Sequence, residues 1–399
     1  MQHRIIVLGA GYAGASAAGR LAKRLHPEDV RITLVNAEPD FVERVRNHQV
    51  ATGQVLKHRP FDEMFAGTGV EFKLAKVDAV DADAKTVAVT GADGAERLEY
   101  DTLVYALGSR LNDHGVPGVA EHAFEVAGRT GALKLRDRLA RMDAGQTVTV
   151  VGGGLTGVEA ATEFAESRPD LKVALIARGG LGDWVSPKAQ EHLRKVFGRL
   201  GITVHEHTDV AAVGADAIST AAGEAIPSAV TVWTAGFAVH PIAAATTMET
   251  AADGRIVVDR DMASVSHPDV FAVGDSGFAF GDAGNPLRMS CATGTPMAWQ
   301  AADSIVARLT GTEAGRTPLK YSGQCISLGR KDGLVQWVTA DDRTKDSSLR
   351  GPLAARMKEL VCSFAAWGAA HPTLGMPVRR RRIAPAAQNA GGTAIKALA

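Results

Sequence analysis

Apolar and polar positions along the chain fall into one pattern that occurs twice. RIIVLGAGYAGASAAGRLA opens at Arg4, and TVTVVGGGLTGVEAATEFA opens at Thr147. Each reads as a short apolar run, a glycine turn and an alanine-rich helix. Each is followed by a second β-branched run, VRITLVN ending at Asn36 and LKVALIA ending at Ala177. Strand, turn, helix and strand, taken twice, predict an α/β fold with parallel sheets. Between the two copies, VEFKLAKVDAVDADAKTVAVTGADGAERLEYDTLVYALGS alternates in the manner of antiparallel strands, with a turn at GADG. GITVHEHTDV, AVTVWTAG and RIVVDRDMASVSHPDVFAVGD follow the second copy and supply further strands.

The turns carry chemistry. Gly9, Gly11 and Gly14 form one G-x-G-x-x-G and Gly152, Gly154 and Gly157 a second, with Tyr12 and Ala13 inside the first loop and Thr156 inside the second. The first glycine permits the tight turn, the second lets a diphosphate approach the backbone, and the third packs helix on strand. The diphosphate then meets free N–H groups and the positive end of the helix dipole. One such motif is weak; here each follows an apolar strand and opens a helix, the context that gives it meaning. Two copies imply two dinucleotides, and FAD with NADH or NADPH is the usual pairing, because a flavin needs a hydride donor. The expected architecture is two Rossmann-like dinucleotide-binding domains, the second inserted in the first, plus a C-terminal α/β segment. Residues 1–114 and 237–314 make the FAD domain, 115–236 the NAD(P)H domain and 315–385 the C-terminal part. The tail, 386–399, is expected to be disordered.

Composition narrows the setting. Hydrophobic residues are 46% and charged residues 22%, as in soluble globular proteins. Lys+Arg and Asp+Glu are 44 each, so no overall field favours nucleic acid. The three cysteines, Cys291, Cys325 and Cys362, form no Cys-x-x-Cys pair and no metal spacing, which fits a reducing compartment. The first strand follows the N-terminus at once, and no apolar run reaches the length of a membrane span. These features point to a cytoplasmic protein.

The segments GAGYAG, ITLVN, HQVATG, YDTLVYALGS, VVGGGLTGVE, VWTAG, HPDVFAVGD and CISLGRKDG give the chain a family likeness. It resembles the two-dinucleotide-domain flavoprotein reductases and, more narrowly, the type II NADH:quinone oxidoreductases, over about residues 3–340. The resemblance implies hydride transfer from the nicotinamide to the flavin and on to a quinone or other small-molecule electron acceptor. It implies that Asp275, after Gly274, accepts a hydrogen bond from the ribityl chain. A helix starting near Pro296 and Met297 would point its N-terminus at the flavin. Gly108 and Gly236 belong to matching motifs at the cofactors, and His48 falls in a segment near FAD. Glu159 is implied at the nicotinamide, and Glu163, one turn on, on the acceptor side as a proton donor.

Several positions leave alternatives open. Asn36 or Glu38 could hold the adenosine ribose of FAD. In the second copy that place is Ala177 followed by Arg178, with no acid for a ribose hydroxyl, so the reading leans towards NADPH. The quinone reductases carry Ala-Gln-x-x-x-Gln on the flavin helix; here the places are Thr295, Pro296 and Gln300, which weakens the quinone assignment and leaves room for a tailoring enzyme or a slow redox-sensing flavoprotein. Leu353, Met357, Leu360, Val361 and Phe364 share one helical face. In the family such a region contacts the inner face of the membrane; packing on the protein itself or in a homodimer is the plainer reading. Arg379 to Arg382 could touch anionic lipid or simply be solvated.

Overall fold

The computed structural model describes residues 2–373 and 380–385. Arg379 and the 386–399 tail, expected to be disordered, lie outside the described residues. The first copy folds as β1 (His3–Leu8), α1 (Tyr12–Arg24) and β2 (Val30–Asn36). β1 and β2 pair in parallel from His3 opposite Val30 to Leu8 opposite Val35. They sit inside a seven-stranded sheet ordered 270–272, 102–105, β1, β2, 70–81, 86–91, 94–99. Ile5, Leu8, Ile32 and Leu34 are fully buried, as continuous apolar runs in a covered parallel sheet should be. The second copy folds as β3 (Thr147–Val151), α2 (Leu155–Ser167) and β4 (Lys172–Ile176). Its parallel sheet is ordered 203–205, β4, β3, 230–233, 123–125.

The chain leaves the first sheet after Thr102–Tyr105 and returns to it as Val270–Ala272. Both passages run through one antiparallel ribbon, Ser109–Leu111 with Phe237–Val239. The fold is thus α/β, with one sheet interrupted by the other. α3 (Cys291–Thr310) packs along α1, and Arg20 clamps Asp303 across them at 2.7 Å. A third, antiparallel sheet of β5 (Gly323–Ser327), Gly333–Val338 and Thr344–Arg350 leads into α4 (Pro352–Ala370).

Three expectations need correction. Thr102–Tyr105 is a central parallel strand beside β1, and Val70–Asp81 begins parallel to β2 before turning antiparallel. All four residues of 102–105 are buried, so the apolar run marked a core strand and not an alternating one. α3 starts at Cys291, after extended Ser290, so Pro296 lies inside the helix. Its ring nitrogen cannot donate, which leaves the Ala292 carbonyl without its helical partner. The apolar face of α4 points outward: Phe364 is 74% exposed and Leu360 68%, while Ala354, Cys362, Ala366 and Ala369 pack inward. Short side chains let α4 approach closely, and the larger ones are left in solvent.

Both glycine turns depend on close contact. A methyl group at Gly14 would lie 1.8 Å from the Gly9 carbonyl oxygen, and one at Gly157 1.8 Å from that of Gly152. Gly9 and Gly152 themselves adopt φ of +88° and +125°, which side chains disfavour. At Gly11 a methyl would meet nothing within 4 Å. Gly14→Ala is therefore expected to cost roughly 1–3 kcal/mol through overpacking and to lower flavin content. Gly11→Ala should keep the fold. Thermal unfolding together with visible flavin absorbance separates the two, and equal melting of both variants would contradict the packing argument.

The third sheet is pinned to α2 chiefly at a buried carboxylate, Glu163. Arg330 donates to Glu163 from Nε at 2.8 Å and from Nη2 at 2.7 Å, and the Thr52 hydroxyl adds a bond at 2.9 Å. Burial pushes the Glu163 carboxyl up, but Arg330 outweighs burial and holds it below the usual carboxylate range. A carboxyl lowered in the folded state adds stability above its unfolded pKa and loses it as pH falls through the folded one. The Glu163 side chain is 1% exposed and Arg330 39%, so part of the attraction is screened. Arg330→Met should destabilise by about 2–4 kcal/mol at neutral pH. The gap to wild type should narrow as pH falls through the lowered Glu163 pKa, where Glu163 becomes protonated in both proteins. Chemical denaturation across pH tests this, and a pH-independent gap would refute it.

Candidate functional site

A cleft of about 990 Å³ runs between the two glycine turns. It lies beyond the carboxyl ends of the parallel strands, where α/β sheets bind ligands. Gly11, Tyr12, Ala13, Asn36, Glu38, His48, Gly108, Gly152, Gly154, Thr156, Glu159, Arg178, Gly236, Gly274 and Asp275 all line it. Gly9, Gly14 and Gly157 do not, because their part is to let strand and helix meet. Met297 is buried against Gly277, and Pro296 lies one turn beyond the helix start, so neither reaches the cleft. Ser290, Cys291, Ala292 and Gly294 line it in their place.

Three helix N-termini open onto this cleft, those of α1, α2 and α3. None has a side-chain cap or an acid in its first turn. Their leading N–H groups have no side-chain acceptor and meet the cleft with the positive end of each dipole. The arrangement suits the diphosphates of two dinucleotides and electron density on a flavin ring. The Tyr12 hydroxyl is buried at the cleft wall with no partner among the described residues, an atom waiting for a ligand acceptor or donor.

Polar residues are held for specific tasks. Asn36 Oδ1 accepts the Ala10 N–H at 3.0 Å, and its Nδ2 donates to the Glu38 carbonyl at 2.8 Å. Asn36 thus shapes the first turn and carries Glu38 to the cleft edge. Asp275 accepts from the Ser109 hydroxyl at 2.6 Å and lies 3.6 Å from Arg44. Arg44 also donates to the Ser109 carbonyl at 2.9 Å and stacks on Phe237. Arg178 binds Asp209 at 2.8 Å on the rim.

Glu159 sits deeper. Its Oε1 accepts from Lys358 Nζ at 2.9 Å, from the Ser327 N–H at 3.0 Å and from the Ser327 hydroxyl at 3.2 Å. The Ser327 hydroxyl lies 3.4 Å from His48 Nε2. Burial disfavours charge on Lys358, but Glu159 overrides it and the ammonium is held above its ordinary pKa. Burial drives His48 the other way, so its imidazole is neutral at physiological pH. Glu163 does not join this group. It is spaced i, i+4 from Glu159 and shares its face, but one turn carries it about 6 Å along the helix, where Arg330 takes it. The expected proton donor on that helix is thus a buried structural carboxylate.

Nothing along the chain marks Lys358 for the site, and the thiols carry only the position of Cys291 just before the expected start of the flavin-facing helix. Cys291, Cys325 and Cys362 come from α3, β5 and α4, yet all line the same cleft. All are free, and burial raises the Cys325 and Cys362 thiols while Lys358 opposes it. Only CISLGRKDG hinted that the third sheet belongs to the site. Among the described residues no cluster could hold a metal ion, and no helix is long and apolar enough to cross a membrane.

Comparison with known proteins agrees with this geometry. An NADH dehydrogenase-like protein of Mycobacterium tuberculosis is 30% identical over 331 residues, 76% of this chain and 80% of that one. A type II NADH:quinone oxidoreductase of Staphylococcus epidermidis is 26% identical, covering 83% and 89%. The sulfide:quinone oxidoreductase of Aquifex aeolicus superposes with a TM-score of 0.79 at 19% identity, covering 94% of this chain and 93% of that one. The fold is therefore shared well beyond sequence likeness. Residues 3–304 match the pyridine nucleotide-disulphide oxidoreductase family, and the chain belongs to it as an FAD-dependent oxidoreductase of reduced nicotinamide dinucleotides.

Proposed function

We propose that this enzyme carries electrons from NAD(P)H, by way of FAD, to a quinone-like acceptor that enters between α3 and α4. The observation that carries the reading is the side of the cleft formed by β5 and α4. Cys325, Val361, Cys362 and Ala365 give it an apolar wall, and Lys358 gives it one buried cation. An apolar ring with carbonyl oxygens matches both. The exposed Leu360, Val361, Phe364 and Trp367 beside it would suit a lipid-soluble acceptor arriving from a membrane surface.

The α1 turn would take the FAD diphosphate, with Asn36 and Glu38 at the adenosine ribose and Asp275 at the ribityl hydroxyls. The α2 turn, Gly152 to Thr156, would take the nicotinamide dinucleotide. Gly108, Gly236 and Gly274 line the cleft with positive-φ backbone that side chains disfavour. When bound, FAD supplies the chemistry that turns a two-electron hydride donor into a reductant for the acceptor. The chain supplies position and charge. Reducing a quinone to a quinol adds two electrons and two protons; the Lys358 ammonium, kept charged by Glu159, would stabilise the anion developing on an acceptor oxygen, and solvent would supply the protons. Glu159 holds that ammonium in place, and Ser327 and neutral His48 lead away from it.

A second reading, reduction of some other organic substrate, is favoured by Gln300. Its amide donates to Ser304 at 3.2 Å and accepts from the Thr317 N–H at 2.8 Å, so it is buried in the core and not offered to a quinone. Steady-state assays with menadione decide between the two. The quinone reading expects NAD(P)H oxidation to accelerate with menadione, and no stimulation by any quinone would overturn it. Lys358→Met should slow menadione reduction about 10²-fold through loss of the cation that stabilises the developing anion, with flavin reduction by NAD(P)H little changed. Equal loss in both half-reactions would remove Lys358 from the acceptor side.

A further inference from the structure

The second glycine turn ends at a rim whose residues differ in kind from those of the first. Beyond the carboxyl end of β4, Ala177 packs against the turn: a methyl group built on Gly153 would lie 2.6 Å from the Ala177 Cβ. A nucleotide whose diphosphate rests on α2 therefore places its adenosine ribose beside positions 177 and 178. At the matching place in the first copy, Asn36 offers an amide and positions Glu38. Ala177 offers only a buried methyl and cannot accept a ribose hydroxyl.

Arg178 follows, and its side chain is 84% exposed. Only Nε is engaged, with Asp209 at 2.8 Å; the two terminal nitrogens bond nothing among the described residues. Such an exposed pair is weak and readily exchanged. Asp209, 59% exposed, also lines the cleft. The other acids nearby are occupied: Asp183 accepts the Gly180 N–H at 3.1 Å, and Glu206 accepts from Arg194 at 2.6 Å and from the Leu181 N–H.

We propose that Arg178 selects NADPH, turning from Asp209 to pair with the 2′-phosphate of the nucleotide. This rests on the reading that the α2 turn holds the nicotinamide dinucleotide. A guanidinium grips phosphate with two parallel hydrogen bonds, a geometry a single carboxylate contact through Nε does not use. Asp209 then acts against the phosphate, by repulsion and by competing for Arg178. The selector is thus a cation with one replaceable partner, on a rim where the usual acid is absent.

Calorimetric titration of the FAD-loaded protein with NADP+ and with NAD+ tests this without turnover. Wild type is expected to bind NADP+ at least about tenfold more tightly than NAD+, with the preference shrinking as salt rises. Arg178→Ala should weaken NADP+ about tenfold or more and change NAD+ less than about threefold. Asp209→Asn should tighten NADP+ and leave NAD+ unchanged. NAD+ binding as tightly as NADP+ in wild type, or Arg178→Ala weakening both alike, would overturn the proposal. Asp209→Asn weakening NAD+ would also overturn it, by making Asp209 the ribose acceptor. If neither nucleotide binds while both variants melt like wild type, the assignment of the α2 turn itself falls.

Discussion

Where Gly14 crosses the carbonyl of Gly9, and Gly157 that of Gly152, helix and strand backbones approach too closely for a single methyl group. The rest of the molecule depends on that contact. It fixes the first turn of α1 and of α2 at the carboxyl ends of their parallel sheets, with N–H groups directed outward. Because the second sheet is entered and left through one short ribbon, the two turns face a common cleft. A binding site for two dinucleotides follows from packing before any side chain is considered.

The third sheet and α4 convert that frame into a reactive site. They bring Ser327 and Lys358 onto Glu159, a carboxylate of α2 that would otherwise be buried without partners. Breaking such a pair leaves an uncompensated buried charge, so the network favours one geometry over its neighbours. Arg330 does the same for Glu163 one turn away, and this anchors the sheet that delivers Ser327. The two glutamates share a helix face and face different partners. One meets the cleft and the other holds the scaffold.

How much of this was legible along the chain depended on range. The glycine turns and their flanking strands could be read because each lies within a local motif whose spacing has a physical cause; Asp275 and Glu159 follow from the resemblance, and both line the cleft. Misreadings arose where partners are distant in sequence. Glu163 is separated from Arg330 by 167 residues, and nothing near either reveals the pair. Pro296 suggests a first turn, because proline is favoured there, but the boundary lies at Ser290, a residue type equally favoured just before a helix. The apolar stripe on α4 was equally visible, but periodicity does not say which face meets the protein. Alanines packed inward and left Leu360 and Phe364 outside. Convergence of three thiols from three segments has no local signature at all.

The central claim is that two phosphate cradles of one design hold a flavin and its hydride donor in a single cleft. Anaerobic addition of reduced nicotinamide nucleotide to the purified protein tests it most directly. A yellow protein carrying one FAD per chain, bleached by one equivalent of nucleotide, is the predicted result. A colourless protein that takes up no flavin, or a bound flavin that neither nucleotide reduces, would contradict it.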